Sequence, residues 1–530
     1  MIYPQDFPPK KNINQITIAT SINDFNMRGL MKPLTSDKTQ TIQIRSIWTR
    51  YCLNSSVHGL RYLVEPTVKA NERFVWFVLI SLAFCGTLYV SLLLQVRYST
   101  NKLATVVEST MYPVASIPYP AVTICNNNRV NWDRVPSALD YFLKNGTSET
   151  IGKLTEIIIG LNSFEFSSFE HFENVVHKDV SDLDNINVTE LFSRVIHSCE
   201  EMFIEPCWWR SKYVQCCGEN GLFVWQRSEY GICYAFNSVL NENGSSRYLL
   251  EKDYPWRTTK FSDWSGIRAY IRVNDSTRIP NTKTKSGVLV MLHHPLTWPI
   301  AASFVPAGSS TYIRMTPKFS YASKGVLSLQ PKERNCLVTN EIHTNRYSTL
   351  PGTEYFFTNC ICNCRRQYLI STCNCTVDFI YPSGNDRQCK ISDYKCLNQF
   401  NDLYNHEKPL PGNDFFSDEE EGMVCDCLPE CEAVDYAFDV APAISTGTDN
   451  GTDNQILLDV HFQRSTLFKY RTDVVFDWLD LMVGFGGIAG LFLGISLMSI
   501  AEGIFYLGVG ILNILRGILH VILRVICKVK

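Results

Sequence analysis

Three aspartates precede an uncharged segment of the chain, and their spacing suits the attraction of cations. Asp473, Asp477 and Asp480 stand at positions i, i+4 and i+7, so a helix that began early would carry them on one face. Like charges on one face repel one another unless a cation lies among them. The alternative is a solvated helix start, where carboxylates suit the positive end of the helix dipole. Spacing alone leaves both interpretations open.

The uncharged segment that follows, 481–500, has twenty residues and is rich in glycine. At a rise of about 1.5 Å per residue, a helix of that length crosses about 30 Å of hydrocarbon. Gly487, Gly490 and Gly494 recur at helical spacing, although glycine weakens a helix by about 1 kcal/mol in water. One reason for them is close helix pairing. The other is a pore wall, where backbone carbonyls and the Ser496 hydroxyl face an aqueous path.

A second uncharged segment, 74–96, has 23 residues and also fits a bilayer crossing. Residues 1–73 hold five Lys and five Arg against five acidic residues, and residues 503–530 hold four basic residues and no acidic one. The stretch 74–502 holds 35 basic and 47 acidic residues, a net charge of −12. Because basic flanks stay in the cytosol, we expect both ends of the chain inside the cell and the acidic middle outside.

Cysteines and sequons support an extracellular middle region. Seventeen of the 20 cysteines lie between the two uncharged segments, a density typical of an oxidising compartment. Cys-x-Cys repeats can bind zinc, but irregular spacing in an oxidising location favours disulfides, whose connectivity spacing does not reveal. Six sequons in this region predict glycosylation at Asn145, Asn187, Asn243, Asn274, Asn374 and Asn450.

Motifs of catalysis are missing from the sequence. It has no Gly-rich phosphate loop, no His-Glu-x-x-His and no nucleophile elbow. We therefore expect no enzyme activity, no cofactor, no metal site and no nucleic-acid partner.

Two further motifs carry a family resemblance. His58-Gly59 lies shortly before the first uncharged segment, and residues 119–126 read Tyr-Pro-Ala-Val-Thr-Ile-Cys-Asn. With two spans, a Cys-rich loop and Gly494-Ile495-Ser496, these motifs resemble the degenerin/epithelial sodium channel superfamily. Its signature has Phe where this chain has Tyr119. The details look most similar to the insect pickpocket branch.

The resemblance implies an α+β membrane protein in which two transmembrane helices flank a large disulfide-rich extracellular domain with palm, β-ball, finger, thumb and knuckle. The implied boundaries are a cytosolic region with the His-Gly motif (1–73), a first transmembrane helix (74–96), an extracellular domain (97–473) with finger (about 136–232) and thumb (about 336–431), a pore-lining second helix (474–507) and a basic amphipathic cytosolic tail (508–530).

The resemblance also implies seven disulfides. They are Cys125–Cys233, Cys199–Cys207, Cys336–Cys431, Cys360–Cys427, Cys364–Cys425, Cys373–Cys396 and Cys375–Cys389. Cys216, Cys217 and Cys362 are left over. Because three is an odd number, either one thiol is free or a pairing near these residues is wrong.

The implied function is that of a subunit in a homo- or hetero-trimeric, voltage-independent, amiloride-sensitive sodium channel of the plasma membrane in sensory or epithelial cells. Na⁺ would be the permeant ion, and an extracellular ligand, acid or force would open the channel within membrane lipid. The implied site residues are Gly494, Ile495 and Ser496 in the selectivity filter, Asp473, Asp477 and Asp480 in the outer vestibule, and His58 and Gly59 in cytosolic gating.

The chain departs from the family pattern at two positions. The residue three before the Gly-Gly pair, where the family has a small gate residue, is Val483, and Gly484 replaces the usual acid. Either gating is altered, or the register slips by one and Gly484 is the gate. In the filter, Ile495 stands where Ala or Ser is usual, which affects the expected selectivity.

Two other functions remain as alternatives. The first is an ATP-gated type of two-span cation channel, which should have paired lysines after the first span and ten external cysteines. The second is a non-conducting two-span receptor, against which the glycine-lined second span argues.

Overall fold

The computed structural model describes residues 47–100, 102–144, 146–338, 341, 347–410, 421–444 and 454–528, without side-chain detail for 176, 444 and 520–528. Two compact units are present. The helical unit contains the chain up to Thr100 and again from Phe476, and the sheet unit is Asn101–Val475. The predicted glycosylation sites Asn145 and Asn450 lie outside the described residues.

The described helices are, in chain order, α1 (47–54), α2 (Leu60–Val64), α3 (Ala70–Thr100), α4 (Val135–Phe142), α5 (Ser148–Ser163), α6 (Glu173–Val176), α7 (Val188–Val195), α8 (Cys199–Met202), α9 (Gly244–Leu250), α10 (Lys324–Leu327), α11 (Pro331–Arg334), α12 (Phe357–Cys373), α13 (Tyr394–Gln399), α14 (Asn401–Asn405), α15 (Trp478–Leu493) and α16 (Leu497–Lys528). Short 3-10 turns lie at Val114–Ser116, Trp132–Arg134, Phe169–Phe172, Ser181–Leu183, Asp275–Thr277 and Ile391–Asp393.

The described strands are β1 (Leu103–Pro113), β2 (Ala121–Asn126), β3 (Phe203–Trp209), β4 (Lys212–Val214), β5 (Phe223–Ser228), β6 (Gly231–Phe236), β7 (Ile267–Arg272), β8 (Gly287–His293), β9 (Ser303–Pro306), β10 (Ser309–Ala322), β11 (Glu407–Lys408), β12 (Met423–Val424), β13 (Glu432–Ile444), β14 (Gln455–Phe462) and β15 (Thr466–Val474).

The sheet unit contains two main sheets. The larger has the order β1-β15-β10-β14-β7-β3-β4, with β13 paired to β10, and the smaller has the order β5-β6-β2-β8-β9. The long strand β10 pairs antiparallel with β13, and parallel with β14 and β15 along two successive stretches. The helices between β2 and β3 and those of the thumb region share one hydrophobic core, and the two sheets share another.

Tyr119, where this chain departs from the family signature, is fully buried and has a defined hydrogen-bonding role. Its hydroxyl donates to the Val460 carbonyl at 2.6 Å and accepts the Ile267 N–H at 3.3 Å. Burial raises the pKa of Tyr119 well above its usual range, so the hydroxyl stays protonated and remains a donor. The extra oxygen relative to Phe thus joins β7 to β14.

Tyr119→Phe is expected to destabilise the sheet unit by about 1–3 kcal/mol, because two buried polar groups lose their partner. Thermal unfolding of the purified full-length protein measures the loss. Tyr213→Phe is the matched control, since Tyr213 is 74% exposed. Equal stability of both variants would show that the hydroxyl contributes nothing.

Eight disulfides cross-link the sheet unit. Six have the pairing that the resemblance implies, and the bridges are Cys125–Cys233, Cys336–Cys431, Cys360–Cys427, Cys364–Cys425, Cys373–Cys396 and Cys375–Cys389. The predicted Cys199–Cys207 bridge is wrong, because the structure pairs Cys199 with Cys217 and Cys207 with Cys216. Cys199 begins α8, whereas β3 carries Cys207 roughly 13 Å along an extended strand from Phe203. The hairpin β3–β4 then returns Cys216 to Cys207.

Helix geometry explains why Cys362 is a free thiol. Cys360 and Cys364 are four residues apart on α12, so both face the segment that carries their partners. Cys362 lies between them on the opposite face and is buried there. Burial raises the pKa of the Cys362 thiol well above its usual range, so it stays protonated.

The described sequon asparagines are exposed, as glycosylation requires, and their modification stays a prediction. Asn187 and Asn243 precede α7 and α9, Asn274 precedes a 3-10 turn, and Asn374 ends α12.

Among the described residues of the helical unit, two helices are long and apolar enough to cross a bilayer, Ala70–Thr100 and Leu497–Leu519. The first extends the predicted 74–96 span by four residues at each end. The helix α16 continues to Lys528, so the predicted boundary between span and tail at 507/508 is not a structural break.

Candidate functional site

The second apolar segment is two helices rather than the single helix predicted over 481–500. The chain leaves α15 after Leu493, passes through 494–496 and enters α16 at Leu497. Gly494 has φ +65°, a left-handed conformation that suits glycine and ends the helix. Apolar composition does not reveal this break, because the residues on both sides of it, 481–493 and 497–500, are uncharged and largely apolar.

Some of the backbone N–H groups at the break form hydrogen bonds with the end of α15 or with the break itself. The Gly494 N–H donates to the Gly490 carbonyl at 3.0 Å, and the Ile495 N–H donates to the Ala489 carbonyl at 3.3 Å. On the other side, the Ser499 N–H donates to the Ser496 hydroxyl, which caps α16. Among the described residues, no hydrogen bond reaches the carbonyl oxygens of Gly494 and Ile495. Those two oxygens remain available to an ion.

The structure brings His58 and Gly59 directly to this break. The His58 N–H donates to the Leu493 carbonyl at 2.9 Å, and so satisfies an acceptor at the end of α15. Gly59 has φ +83°, which allows the sharp turn into α2. A Cβ at Gly494 would lie 2.5 Å from the His58 ring. Glycine at 494 is therefore required both by its backbone angle and by the imidazole.

Residues of α1, of the loop that follows it and of α16 reinforce this contact, and sequence reasoning missed them. The Ser56 hydroxyl lies 2.6 Å from the Ser499 hydroxyl, and the Ser56 N–H donates to Glu502 Oε2 at 3.1 Å. Asn54 Nδ2 donates to the Tyr506 hydroxyl at 3.3 Å. The polar residues Ser499, Glu502 and Tyr506 share one helix face at i, i+3 and i+7, and that polar stripe in an apolar helix was the available signal.

The three aspartates do not form one helical face, because the helix begins only after Asp477 and the interpretation that required an earlier start does not apply. Asp473 lies on strand β15 in the sheet unit, where its carboxylate accepts the Ser323 hydroxyl at 2.8 Å. This hydrogen bond and the Val474 N–H lower the pKa of Asp473. Asp477 caps α15, and Asp480 accepts the Asp477 N–H in return. Backbone capping therefore explains the spacing of Asp477 and Asp480, and both remain exposed.

The two predicted gate positions have different surroundings. Val483 is 68% exposed, whereas Gly484 packs against α3, where a Cβ would lie 2.7 Å from Leu94. The same two helices also pack closely at Gly86 on α3. The Phe492 ring of α15 lies against this glycine, and a Cβ at Gly86 would lie 2.9 Å from the ring. Gly484 thus serves helix pairing, and Val483 points away from this contact.

The remaining glycines of α15 have free space beside their Cα atoms. A Cβ at Gly486 or Gly487 would meet nothing within 4 Å, and one at Gly490 would lie 3.8 Å from the Ile495 carbonyl oxygen. Close helix pairing therefore occurs at Gly484, outside the pattern of Gly487, Gly490 and Gly494, and the face at 486–490 is unoccupied within this chain.

Comparison of the sequence with known proteins identifies channel proteins as its relatives. The family model of the amiloride-sensitive sodium channel (ASC) matches residues 51–506. Pickpocket protein 19 of Drosophila melanogaster is 25% identical over 462 residues, which cover 86% of this chain and 89% of that protein. Sodium channel protein Nach of the same species is 23% identical and acid-sensing ion channel 1 of Gallus gallus 22% identical; each alignment covers 88% of this chain, and 88% and 84% of the respective relative.

The matched region contains both uncharged segments, the His-Gly motif and the complete disulfide-rich unit. Members of the family are multimeric plasma-membrane cation channels with two spans per subunit, not enzymes. The chain belongs to the amiloride-sensitive sodium channel family, within the degenerin/epithelial sodium channel superfamily that includes the pickpocket and acid-sensing channels.

Proposed function

We propose that the chain is a subunit of a trimeric, voltage-independent, amiloride-sensitive sodium channel that is gated through its sheet unit, with both termini in the cytosol. The observation that carries the proposal is the helix break at 494–496 in the middle of an otherwise apolar segment. The His58 N–H binds the Leu493 carbonyl at this break. A helix that only anchors a protein in the membrane gains nothing from such a break, because the break leaves carbonyl groups without helical hydrogen-bond partners.

In the proposed pore, three copies of the break surround the axis. The free carbonyl oxygens of Gly494 and Ile495, with the Ser496 hydroxyl, replace part of the hydration shell of a Na⁺ ion. The β-branched side chain of Ile495 points away from the axis, so its carbonyl still serves the ion. Asp477 and Asp480 are exposed at the start of α15 and raise the local cation concentration by Coulomb attraction.

In this proposal, two parts of α15 control gating: the position of Val483 and the end of the helix that contacts His58. Val483 is the proposed gate residue, because Gly484 is already occupied by packing against α3. His58 and Gly59 hold the inner end of α15, so displacement of their loop would release the Leu493 carbonyl and the filter with it. The stretches 74–96 and 478–500 contain no arginine, which supports gating by ligand, acid or force rather than by voltage.

Because the chain belongs to the amiloride-sensitive sodium channel family, the ATP-gated alternative is excluded. The second alternative, a non-conducting receptor, is tested by measuring current. Cells that express the chain, alone or with a related subunit, are expected to show an amiloride-sensitive inward Na⁺ current under acid, stretch or candidate ligands. Surface-expressed protein that gives no current under any of these conditions, even with partners, would refute the proposal.

Ser496→Cys tests the position of the filter. We expect a charged methanethiosulfonate reagent applied from outside to block most of the current, because the new thiol lines the narrowest path. The background should be Cys85→Ser, since Cys85 is an exposed free thiol on α3. Leu93→Cys, on an exposed position of α3, is the control and should be insensitive. An unmodified current in Ser496→Cys would place the filter elsewhere.

A further inference from the structure

Asn187, one of the predicted glycosylation sites, lies beside a cleft in the sheet unit. One wall of the cleft is the loop 184–189 that leads into α7, and the other is the segment 377–390 that follows α12. Two neighbouring cavities of about 340 Å³ and 580 Å³ open along the cleft, and Asn187, Thr189 and Asp378 line both of them. Cavities of this size accommodate a small ligand.

Hydrogen bonds already join the two sides of the cleft. Asp184 accepts the Ser392 N–H at 2.9 Å and the Ser392 hydroxyl at 2.8 Å. Asp378 accepts the Thr189 hydroxyl at 3.3 Å and an N–H of Arg227 Nη2 at 3.1 Å. Because these bonds fix the spacing of the walls, the cleft is preformed, and a group that enters it does not bear the cost of ordering it.

The side-chain amide of Asn187 has a fixed direction. Its Oδ1 accepts the Glu190 N–H at 3.1 Å and so caps α7. Its Nδ2 is therefore directed away from the helix, and it donates to Gln388 Oε1 on the opposite wall at 3.4 Å. Asn187 and Gln388 are both exposed, so there is room for a group on Nδ2, and that group begins between the two walls.

We propose that Asn187 carries an N-glycan whose first N-acetylglucosamine lies in this cleft and braces its two walls. In the transfer, Nδ2 forms a bond to C1 of the first sugar of a lipid-linked oligosaccharide. The bond between C1 and the lipid diphosphate breaks, and the diphosphate leaves with one of the two Nδ2 protons. The amide keeps its other N–H, and Oδ1 still caps α7. The glycan depends on the proposed function only through the extracellular location of the sheet unit, not through ion conduction.

The residues that line the cleft suit a sugar of this kind. N-acetylglucosamine presents hydroxyl groups and an acetamide for hydrogen bonds, and a ring face of apolar C–H groups. Arg387, Gln388 and Lys390 supply exposed donors, Glu242 supplies an acceptor, and half-buried Trp225 supplies an aromatic ring. Because the sugar is covalently tethered, its effective concentration in the cleft is of millimolar order, and weak contacts are sufficient to hold it.

Release of the glycan by a peptide N-glycosidase, which hydrolyses the bond between Asn and the first sugar, tests its location. The full-length protein from animal cells is held in lipid nanodiscs, and mass spectrometry follows each site. In the folded protein, release at Asn187 is expected to be at least about tenfold slower than at Asn274, because the enzyme must wait for the cleft to open. Asn274 is the comparison, since it is exposed and its Oδ1 likewise accepts a backbone N–H, that of Ser276, at 3.1 Å. After denaturation and reduction, the two rates should be similar.

Asn187→Asp removes the glycan but keeps an oxygen that caps α7. Hydrogen exchange of amides 383–388, measured by mass spectrometry, should be at least about threefold faster in this variant than in the parent, since the brace is lost. Asn274→Asp, which removes a glycan and keeps a cap in the same way, should match the parent. The parent trimmed by an endoglycosidase that leaves one N-acetylglucosamine on each Asn should keep its protection, because the first sugar makes the contact.

Equal release at Asn187 and Asn274 in the folded protein would overturn the proposal. So would exchange in Asn187→Asp equal to that of the parent, or a loss of protection in the trimmed parent. Absence of a glycan from Asn187 alone overturns the brace and does not affect the proposed channel. Absence of glycans from all the described sequons also refutes the extracellular location, whereas surface-expressed protein that is braced but carries no current refutes the channel alone.

Discussion

Gly494→Ala is expected to reduce the current per surface-expressed channel by a factor of about 5–30. Alanine at φ +65° is strained by about 1–2 kcal/mol, and its Cβ would lie 2.5 Å from the His58 ring. The chain can relieve the collision only by moving the His58 loop or by changing the break. Either movement displaces the carbonyl oxygens that we assign to the filter. Whole-cell current divided by surface-biotinylated protein measures the effect.

Gly508→Ala is the matched control, because a Cβ at that position on α16 meets nothing within 4 Å. A further variant separates the collision from the backbone strain. Adding His58→Ala to Gly494→Ala removes the ring, so part of the lost current should return if the collision is the cause. A Gly494→Ala channel that conducts as well as the parent would show that the break and its contact with His58 do not matter for conduction.

Glu229→Ala is expected to destabilise the sheet unit by about 3 kcal/mol, because the partly buried Arg365 guanidinium loses its buried partner and keeps only the exposed Glu407. Glu229 is 5% exposed, and Arg365 Nη1 lies 2.7 Å and 2.6 Å from its two oxygens. The Tyr381 hydroxyl and the Cys362 thiol also donate to it. Burial raises the pKa of Glu229, and the charge of Arg365 opposes that shift.

The contacts of Glu229 join the β5–β6 turn to α12, so the loss should affect folding rather than conduction alone. Thermal unfolding monitored by size-exclusion chromatography, together with the surface-expressed fraction, measures it. Glu190→Ala is the control: Glu190 forms an i,i+4 ion pair with Arg194 on the solvent-facing side of α7, worth about 0–1 kcal/mol. If both variants are equally stable, Arg365 is satisfied by Glu407 alone.

The sequence predicted those features that depend on composition and on local pattern. Two long uncharged segments, many cysteines between them and the signature at 119–126 were sufficient for the family resemblance, and the resemblance implied six of the disulfides that the structure contains. Sequence spacing failed where the outcome depends on which element a residue occupies. Asp473, Asp477 and Asp480 fit helical spacing, but Asp473 belongs to a strand and Asp477 is a helix cap.

The same reason explains the error at Cys199 and Cys207. Their separation of eight residues is compatible with a bridge, but the intervening chain changes from helix to extended strand and carries them apart. In contrast, the periodicity of α12 leaves Cys362 on the opposite face from Cys360 and Cys364, so a free thiol follows once the helix is known.

Two spans and a disulfide-rich region between them follow from apolar length, charge asymmetry and cysteine content, which are properties of the chain alone. The motifs at 58–59, 119–126 and 494–496 carry the resemblance to the amiloride-sensitive sodium channel family. Only the tertiary structure decided how the glycines are used. Gly484 pairs with α3, and Gly494 ends α15 against His58. The contact of Gly484 with Leu94 spans 390 positions and that of Gly494 with His58 spans 436, and no local pattern determines which distant side chain fills the space beside a glycine.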